Sequence, residues 1–240
     1  MIVVGHRGWP QKYPENTLPS FQGALDLGVG AIELDVHVTT DNHLAVIHDD
    51  TVDRTTDGKG PVRSKALAEL KSLDAGRWFD ERFRGVRIPT LDEVMDLVAG
   101  KVPLAIEVKP PGETLLRLND QLIPLIRRYP GKVVVHSFDA GYLRAFRALL
   151  PDVDTGFLCE ASEKTLAQAV EMGCTAIHPA WQTVTPGLNR AIRRAGLRIM
   201  VWIAQTESDC RKILSKLDVD AIGADCPDVL LHVLAECGGF

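Results

Sequence analysis

Glu33 and Asp35 stand two residues apart in the run Ala31–Val38, where apolar and polar residues alternate. That alternation reads as a β-strand and sends both carboxylates to one face. Two acids side by side on a mostly apolar strand are costly to bury unless a cation lies between them. The run Leu104–Lys109 repeats the device, with Glu107 and Lys109 on one face and Ile106 and Val108 on the other, toward the helices. Glu33, Asp35 and Glu107 are therefore expected to converge. Carboxylate oxygens without cysteine suit a hard divalent cation, Mg2+ or Ca2+, better than zinc. The rival arrangement is a metal-free ion network in which Arg7 and Lys109 neutralise the acids. Three acids against two cations weigh toward the metal.

The partners for such a cluster stand at the front of the chain. Ile2–Val3–Val4 ends at Gly5–His6–Arg7–Gly8. Flanking glycines permit a sharp turn and close approach to a ligand. His6 can carry a proton near neutral pH, and Arg7 offers a planar fork for phosphate oxygens. A further apolar run, Leu44–Ile47, ends at His48–Asp49–Asp50. Between it and the first acidic strand lies Thr39–Asn42, a good turn sequence. A two-residue turn at Asp41–Asn42 puts Asp35 opposite His48, and a slip of one residue moves His48 to the other face. Two histidines, an arginine and several carboxylates in one region are the parts for metal-assisted attack at phosphorus. A lone histidine at a strand end is ordinarily structural; His6 and His48, both beside the acids, fit that reading poorly. His37, His43, His136, His178 and His232 are read as structural or surface residues, although His37 shares the parity of the acids.

The elements that must position these residues alternate along the chain. Strands are predicted at Ile2–Gly5, Ala31–Val38, Leu104–Lys109, Val133–Phe138, Thr155–Leu158, Ala176–His178, Arg198–Ile203 and Ala221–Gly223. Amphipathic helical runs lie between them: one carrying Leu18, Phe21 and Leu25 on one face, then Leu91–Ala99, Thr114–Arg128, Tyr142–Leu150, Glu163–Met172, Pro186–Ala195, Glu207–Leu214 and Pro227–Cys237. Thr90 with Glu93 suggests a capping box, and Asp225 is placed to cap the last helix. Eight strands alternating with eight helices predict a (β/α)8 TIM barrel. A doubly wound open sheet lacks support, since no Gly-rich phosphate loop follows the first strand. One connection breaks the rhythm: residues 51–89 are far longer than a loop needs and contain a helix-like Lys65–Leu73 and the aromatics Trp78, Phe79 and Phe83. They are expected to form a small insertion after the second strand, capping the active-site mouth of a single domain spanning 1–240.

Composition narrows the partners. The 240 residues carry a net charge of −5 without a basic run, which argues against nucleic acid. No long apolar stretch or leader pattern predicts a transmembrane or secreted protein. The five cysteines show no paired spacing, which suits a reducing cytoplasm, and each is read as a small buried hydrophobe.

His6–Arg7–Gly8, Pro14–Glu15–Asn16–Thr17, Glu33–Leu34–Asp35, His48–Asp49 and Asp53–Arg54–Thr55–Thr56 together resemble the glycerophosphodiester phosphodiesterase family. The likeness continues in order through Leu73–Asp74–Ala75–Gly76, Ile88–Pro89–Thr90–Leu91, Glu107–Val108–Lys109, Ser137–Phe138, Val201–Trp202 and Asp225–Cys226–Pro227. The resemblance implies a phosphodiesterase-type barrel with an insertion after the second strand, and a place in glycerol and lipid metabolism. It implies hydrolysis of a small glycerophosphodiester to sn-glycerol 3-phosphate and an alcohol. By the same resemblance Glu33, Asp35 and Glu107 ligate the metal, His6 and His48 are the acid–base pair, and Arg7 and Lys109 hold phosphate oxygens. Trp202 would pack on the glycerol moiety. Glu15 and Asn16 look like organisers of the active-site loop, with Asn16 also within reach of substrate. The chain departs from the family pattern at Ile203–Ala204–Gln205 and at Ala224, which bears on glycerol recognition rather than on the reaction. Two other readings stand beside this one. A lysophospholipase D would need an apolar track, for which Trp78, Phe79, Phe83 and Trp181 are candidates. A catalytically silent binding barrel would have lost an acid or a histidine, and none is lost.

Overall fold

The computed structural model describes residues 1–109 and 115–238. Among these described residues nine strands run in the order β1 (Ile2–Gly5), β2 (Ala31–Val38), β3 (Leu44–Val46), β4 (Leu104–Val108), β5 (Val133–Ser137), β6 (Asp154–Cys159), β7 (Ala176–Pro179), β8 (Arg198–Ala204) and β9 (Ala221–Ala224). Eight are parallel and adjacent in the order β1-β9-β8-β7-β6-β5-β4-β2. The ring closes where Val4 pairs with Ala31 and Gly5 with Ile32. This is the predicted (β/α)8 barrel, with strand ends within one residue of their expected positions. Its helices are α1 (Leu18–Leu27), α3 (Leu91–Val98), α4 (Leu115–Arg128), α5 (Ala140–Leu149), α6 (Glu163–Glu171), α7 (Pro186–Arg194), α8 (Glu207–Lys216) and α9 (Pro227–Glu236), with α2 (Leu67–Ser72) in the long connection. Thr114, the expected start of the third barrel helix, lies outside the described residues.

The period-two pattern does the work expected of it. Ile32, Leu34 and Val36 of β2 and Ile106 and Val108 of β4 are completely buried in the layer beneath the helices. Glu33, Asp35 and Glu107 consequently point into the barrel. Thr90 and Glu93 form the expected capping box at α3: Glu93 N–H donates to the Thr90 hydroxyl, and Thr90 N–H donates to the Glu93 carboxylate.

Three expectations need correction. The turn after β2 is one residue longer than predicted, because Thr39 N–H bonds to His43 C=O and Asn42 adopts a left-handed φ of 63°. Three residues then lie between the last paired positions, a turn that Asn tolerates. The register shifts accordingly, Val36 pairing with Val46, and Ile47 rather than His48 lies opposite Asp35. Asp225 does not cap α9; Cys226 holds that position without a side-chain cap, and Asp225 turns toward the barrel mouth. Four cysteines are buried as expected, but Cys237 is exposed.

Residues 51–89 leave after β3 and return beside it, Val46 N–H donating to Pro89 C=O. They gather around their own apolar cluster of Ala45, Ile47, Val52, Val62, Leu70, Ala75 and Ile88. Asp74 ties the far loop together, its carboxylate accepting from the N–H groups of Gly76, Arg77 and Gly85.

Candidate active site

The mouth at the C-terminal strand ends holds a cleft of about 110 Å³ lined on one side by His6, Arg7, Glu33, His48, Glu107 and His136. Phe138, Leu158, Met200, Trp202 and Ile203 form its apolar wall. Register explains the acidic cluster: β2 and β4 pair Asp35 with Glu107, and Glu33 lies two residues lower on the same face. One carboxylate oxygen from each of the three lies within 4.8 Å of the others.

Two cations touch this cluster. Lys109 Nζ lies 2.8 Å from Asp35 Oδ1 and 2.5 Å from Glu107 Oε1. Arg7 donates its backbone N–H to Glu33 at 3.0 Å, and its Nε lies 3.4 Å from Asp35. Burial pushes the Asp35 carboxyl up, but Lys109 and Arg7 outweigh it and hold the group far below the ordinary carboxylate range. Glu33 and Glu107 go the other way. Burial first, and then repulsion from Asp35 and the other acid, lifts Glu33 well above its usual value. Burial and Asp35 push Glu107 up to about 7 despite Lys109. Arg7 and Lys109 therefore compensate Asp35 and leave two carboxylates crowded. The all-oxygen donor set, its spacing and this residual repulsion fit a divalent cation.

His6 and His48 are each held by a carboxylate. His6 Nδ1–H donates to Asp225 Oδ1 at 2.6 Å, and His48 Nδ1–H donates to Asp49 Oδ1 at 2.7 Å. An ionised carboxylate only accepts, so the proton on each ring sits at Nδ1 and Nε2 is left for the cleft. His6 Nε2 is 3.9 Å from Glu33. Although the register moved His48 past the end of the ladder, the chain turns there and carries it to the mouth. His37, on the parity of the acids, fixes that turn: its Nε2–H donates to the His48 carbonyl at 3.1 Å. Burial lowers the His48 pKa, with Asp35 opposing.

Asn16 spends both ends of its amide on Asp35, donating from Nδ2 at 2.7 Å and accepting from the Asp35 N–H at 3.3 Å. Its φ of 56° and the φ of 54° at Arg7 are left-handed, a strain that the surrounding bonds maintain. Glu15 accepts from Arg7 Nη1, and Arg54 binds both Glu15 and Asp49. The Arg54 hydrogen bond, above all, holds Asp49 far below its ordinary value. Trp202 lies within a register shift of β8, between Val201 and Ala204, and lines the mouth. Its indole N–H donates to the His178 carbonyl at 2.7 Å, and its ring stands nearly perpendicular to that of Phe138, with centroids 5.7 Å apart.

Sequence reasoning brought His6, Arg7, Glu33, Asp35, His48, Glu107, Lys109, Asn16 and Trp202 to one region, and the structure brings them together. It missed Asp225, read as a helix cap, and Phe138, which is 49 % exposed at the mouth. It also read His136 as structural. His136 lines the cleft with its Nε2 facing Glu33 at 3.7 Å, and its Nδ1 meets His178 Nδ1 at 3.0 Å. Gly156 makes room for that pair, since a Cβ there would lie 2.4 Å from the His178 ring. A glycine opposite His136 in a barrel strand was the available signal. The aromatics of the insertion do not line the cleft: Phe83 packs on Tyr13, and Phe79 on Phe83 and Trp78.

Residues 6–229 match the model of the glycerophosphoryl diester phosphodiesterase family. The chain belongs to this family. A glycerophosphodiester phosphodiesterase of Caldanaerobacter subterraneus subsp. tengcongensis is 36 % identical over 99 % of both chains. An Oleispira antarctica phosphodiesterase, solved in complex with the product sn-glycerol-3-phosphate, superposes with a TM-score of 0.93 at 26 % identity, covering 98 % of this chain and 97 % of that one. A glycerophosphodiester phosphodiesterase from Agrobacterium tumefaciens gives a TM-score of 0.84 at 32 % identity, covering 97 % of this chain and 99 % of that one. As a family member the protein is a phosphoric diester hydrolase acting on glycerophosphodiesters. Among the described residues no helix is long and apolar enough to cross a membrane.

Proposed function

We propose that the cleft hydrolyses glycerophosphodiesters to sn-glycerol 3-phosphate and the free alcohol, with a divalent cation on Glu33, Asp35 and Glu107. The observation that carries this reading is the pair of carboxylate-held histidines flanking a crowded acidic triad. The product bound in the Oleispira antarctica enzyme supports the choice of product. Mg2+ and Ca2+ both suit the triad; bound there, such an ion withdraws charge from the phosphoryl oxygens and eases ionisation of a hydroxyl.

The remaining steps belong to the chain's own side chains. Arg7 and Lys109 face the non-bridging oxygens and oppose their growing charge. One histidine takes a proton from the attacking oxygen at Nε2 as the new P–O bond forms. The other, entering the step as the doubly protonated imidazolium, gives its Nε2 proton to the departing alkoxide as the old P–O bond breaks. The carboxylates of Asp49 and Asp225 steady each ring while it is charged. Asn16 keeps Asp35 in place, and Trp202 with Phe138 offers an apolar face to the glycerol carbons. Attack by water and attack by the neighbouring glycerol hydroxyl both fit this arrangement; only the second passes through a cyclic phosphate, visible by ³¹P NMR. Residues 51–89 act as a cap within one catalytic domain. The unpaired state of all five cysteines supports a cytoplasmic enzyme.

A coupled assay for glycerol 3-phosphate release tests the reading. The charged groups of the cleft serve the phosphate, and the wall opposite is apolar. The choline, ethanolamine and glycerol diesters should therefore show kcat/KM values within about tenfold, or roughly 1.4 kcal/mol. A thousandfold preference would mean that a head-group reader exists. Phe138 and Leu158 on that wall favour one second reading, a lysophospholipase D, so one lysophospholipid belongs in the substrate panel.

A further inference from the structure

Arg54 belongs to the segment that leaves the barrel, yet its guanidinium closes a chain of hydrogen bonds between two residues of the cleft. Nε and Nη2 donate to Asp49 Oδ2 and Oδ1 at 2.8 and 2.9 Å. Nη1 and Nη2 donate to Glu15 Oε2 and Oε1, both at 2.8 Å. Asp49 Oδ1 also accepts from His48 Nδ1 at 2.7 Å, and Glu15 Oε1 from Arg7 Nη1 at 2.8 Å. The order is His48–Asp49–Arg54–Glu15–Arg7. Only a planar fork with donors along two edges can hold two carboxylates in this bidentate way; an ammonium is a point charge and cannot.

Solvent exposure helps to define the role. The Arg54 side chain is 44 % exposed and that of Asp49 29 %. Ion pairs so close to water add little to folding stability. Their fixed geometry nevertheless decides where Asp49 and Glu15 point. Among the described residues, the side-chain hydrogen bonds of Asp49 run only to His48 and Arg54.

We infer that Arg54 is a positioning residue for the cleft, orienting the His48 ring through Asp49 and the Arg7 guanidinium through Glu15. It never touches the reacting atoms. One side chain of the insertion thereby sets both a proton carrier and a phosphate-facing cation, which makes the seating of residues 51–89 part of the chemistry. The kinetic side of this inference rests on the function proposed above.

The test compares Arg54→Ala and Arg54→Lys with the unchanged enzyme. Arg54→Ala should lose about 10–100-fold in kcat/KM, the usual range for an outer residue that orients a reacting one. Its melting temperature should stay close to that of the unchanged enzyme. Arg54→Lys, which keeps the charge without the fork, should stay near the Ala variant. Millimolar guanidinium chloride should restore part of the Arg54→Ala activity, and methylammonium chloride should not. Histidine ¹⁵N NMR gives a readout that does not need turnover: His48 should be a single Nδ1–H tautomer in the unchanged enzyme and a mixture in Arg54→Ala. Unchanged kcat/KM in Arg54→Ala would overturn the inference. So would a loss that tracks the melting temperature, resists guanidinium and leaves the His48 tautomer single. If the unchanged enzyme releases no glycerol 3-phosphate, the proposed function fails, and the tautomer comparison still decides the role of Arg54. If Arg54→Ala does not fold, Arg54→Lys carries the same NMR comparison.

Discussion

The imidazoles of His6 and His48 meet carboxylates of different origin. Asp49 is the next residue in sequence to His48, whereas Asp225 reaches His6 from 219 residues away. Each carboxylate fixes which ring nitrogen carries the proton. Replacing His6 or His48 by Ala should lower kcat by about 10²–10⁴-fold, the usual worth of a positioned acid or base, with circular dichroism unchanged. Near-normal turnover in either variant would remove that residue from the mechanism. Asp225→Asn is a subtler probe. An amide in that place can donate to Nδ1 and favour the wrong tautomer, so kcat should fall while KM changes little. Gln205 Nε2 donates to Asp225 Oδ2 at 2.9 Å, so the Asp225 carboxylate is held on both oxygens.

At the scale of elements, β2 and β4 bring the acids together because their pairing puts Asp35 beside Glu107 and their outer faces are apolar. The insertion adds polar ties to its own apolar cluster. Burial raises the Asp74 carboxyl, but the N–H groups of Arg77, Gly76 and Gly85 outweigh it and hold the group below its ordinary value. Removing that acceptor in Asp74→Ala strands three donors and should cost about 1.5–3 kcal/mol, seen as a lower melting temperature. The pH dependence follows from the sign of the shift. A depressed carboxyl adds stability that is complete above its unfolded pKa of about 3.9 and is lost as pH falls through the folded value. The melting gap between the unchanged protein and Asp74→Asn should therefore be constant near neutrality and close in acid. A gap that persists unchanged at low pH would show that the carboxylate charge is not what holds the loop.

For the molecule as a whole, the cluster in the barrel mouth couples stability to both protons and metal. Glu33 and Glu107 have raised folded pKa values, Glu107 reaching about 7. In metal-free protein the folded state then binds more protons than the unfolded chain between about pH 4.3 and the folded values, so stability should fall as pH rises through that window. Asp35, held far down, titrates below it. Added Mg2+ or Ca2+ should raise the melting temperature by linkage, more at pH 7.5 than at pH 5, where protons compete for the same oxygens. Chelation should stop turnover, and metal should restore it. If a chelator changes neither melting nor activity at either pH, Arg7 and Lys109 satisfy the acids alone.

Local pattern made the barrel legible. The period-two faces of Ala31–Val38 and Leu104–Lys109, the helical runs between strands and the Thr90–Glu93 cap are short-range consequences of backbone geometry. They determined the alternation of elements and the inward direction of Glu33, Asp35 and Glu107. The compact motifs at His6–Arg7 and His48–Asp49 carried the residue types of the cleft for the same reason. Other features depended on contacts distant in sequence. Whether Asp225 caps α9 or grips His6 depends on β9 lying beside β1 when the ring closes. Phe138 and Trp202, 64 positions apart in sequence, meet ring to ring in the wall of the cleft. His136 faces Glu33 because Gly156, on the neighbouring strand, leaves room for His178 behind it. The hairpin register turned on a single left-handed residue, Asn42, whose cost is small enough for the packing of Val36 on Val46 to decide it. Sequence determined what each segment could form and which face it would bury; closure of the barrel decided which polar groups met, because those meetings join strands that only the closed ring makes neighbours.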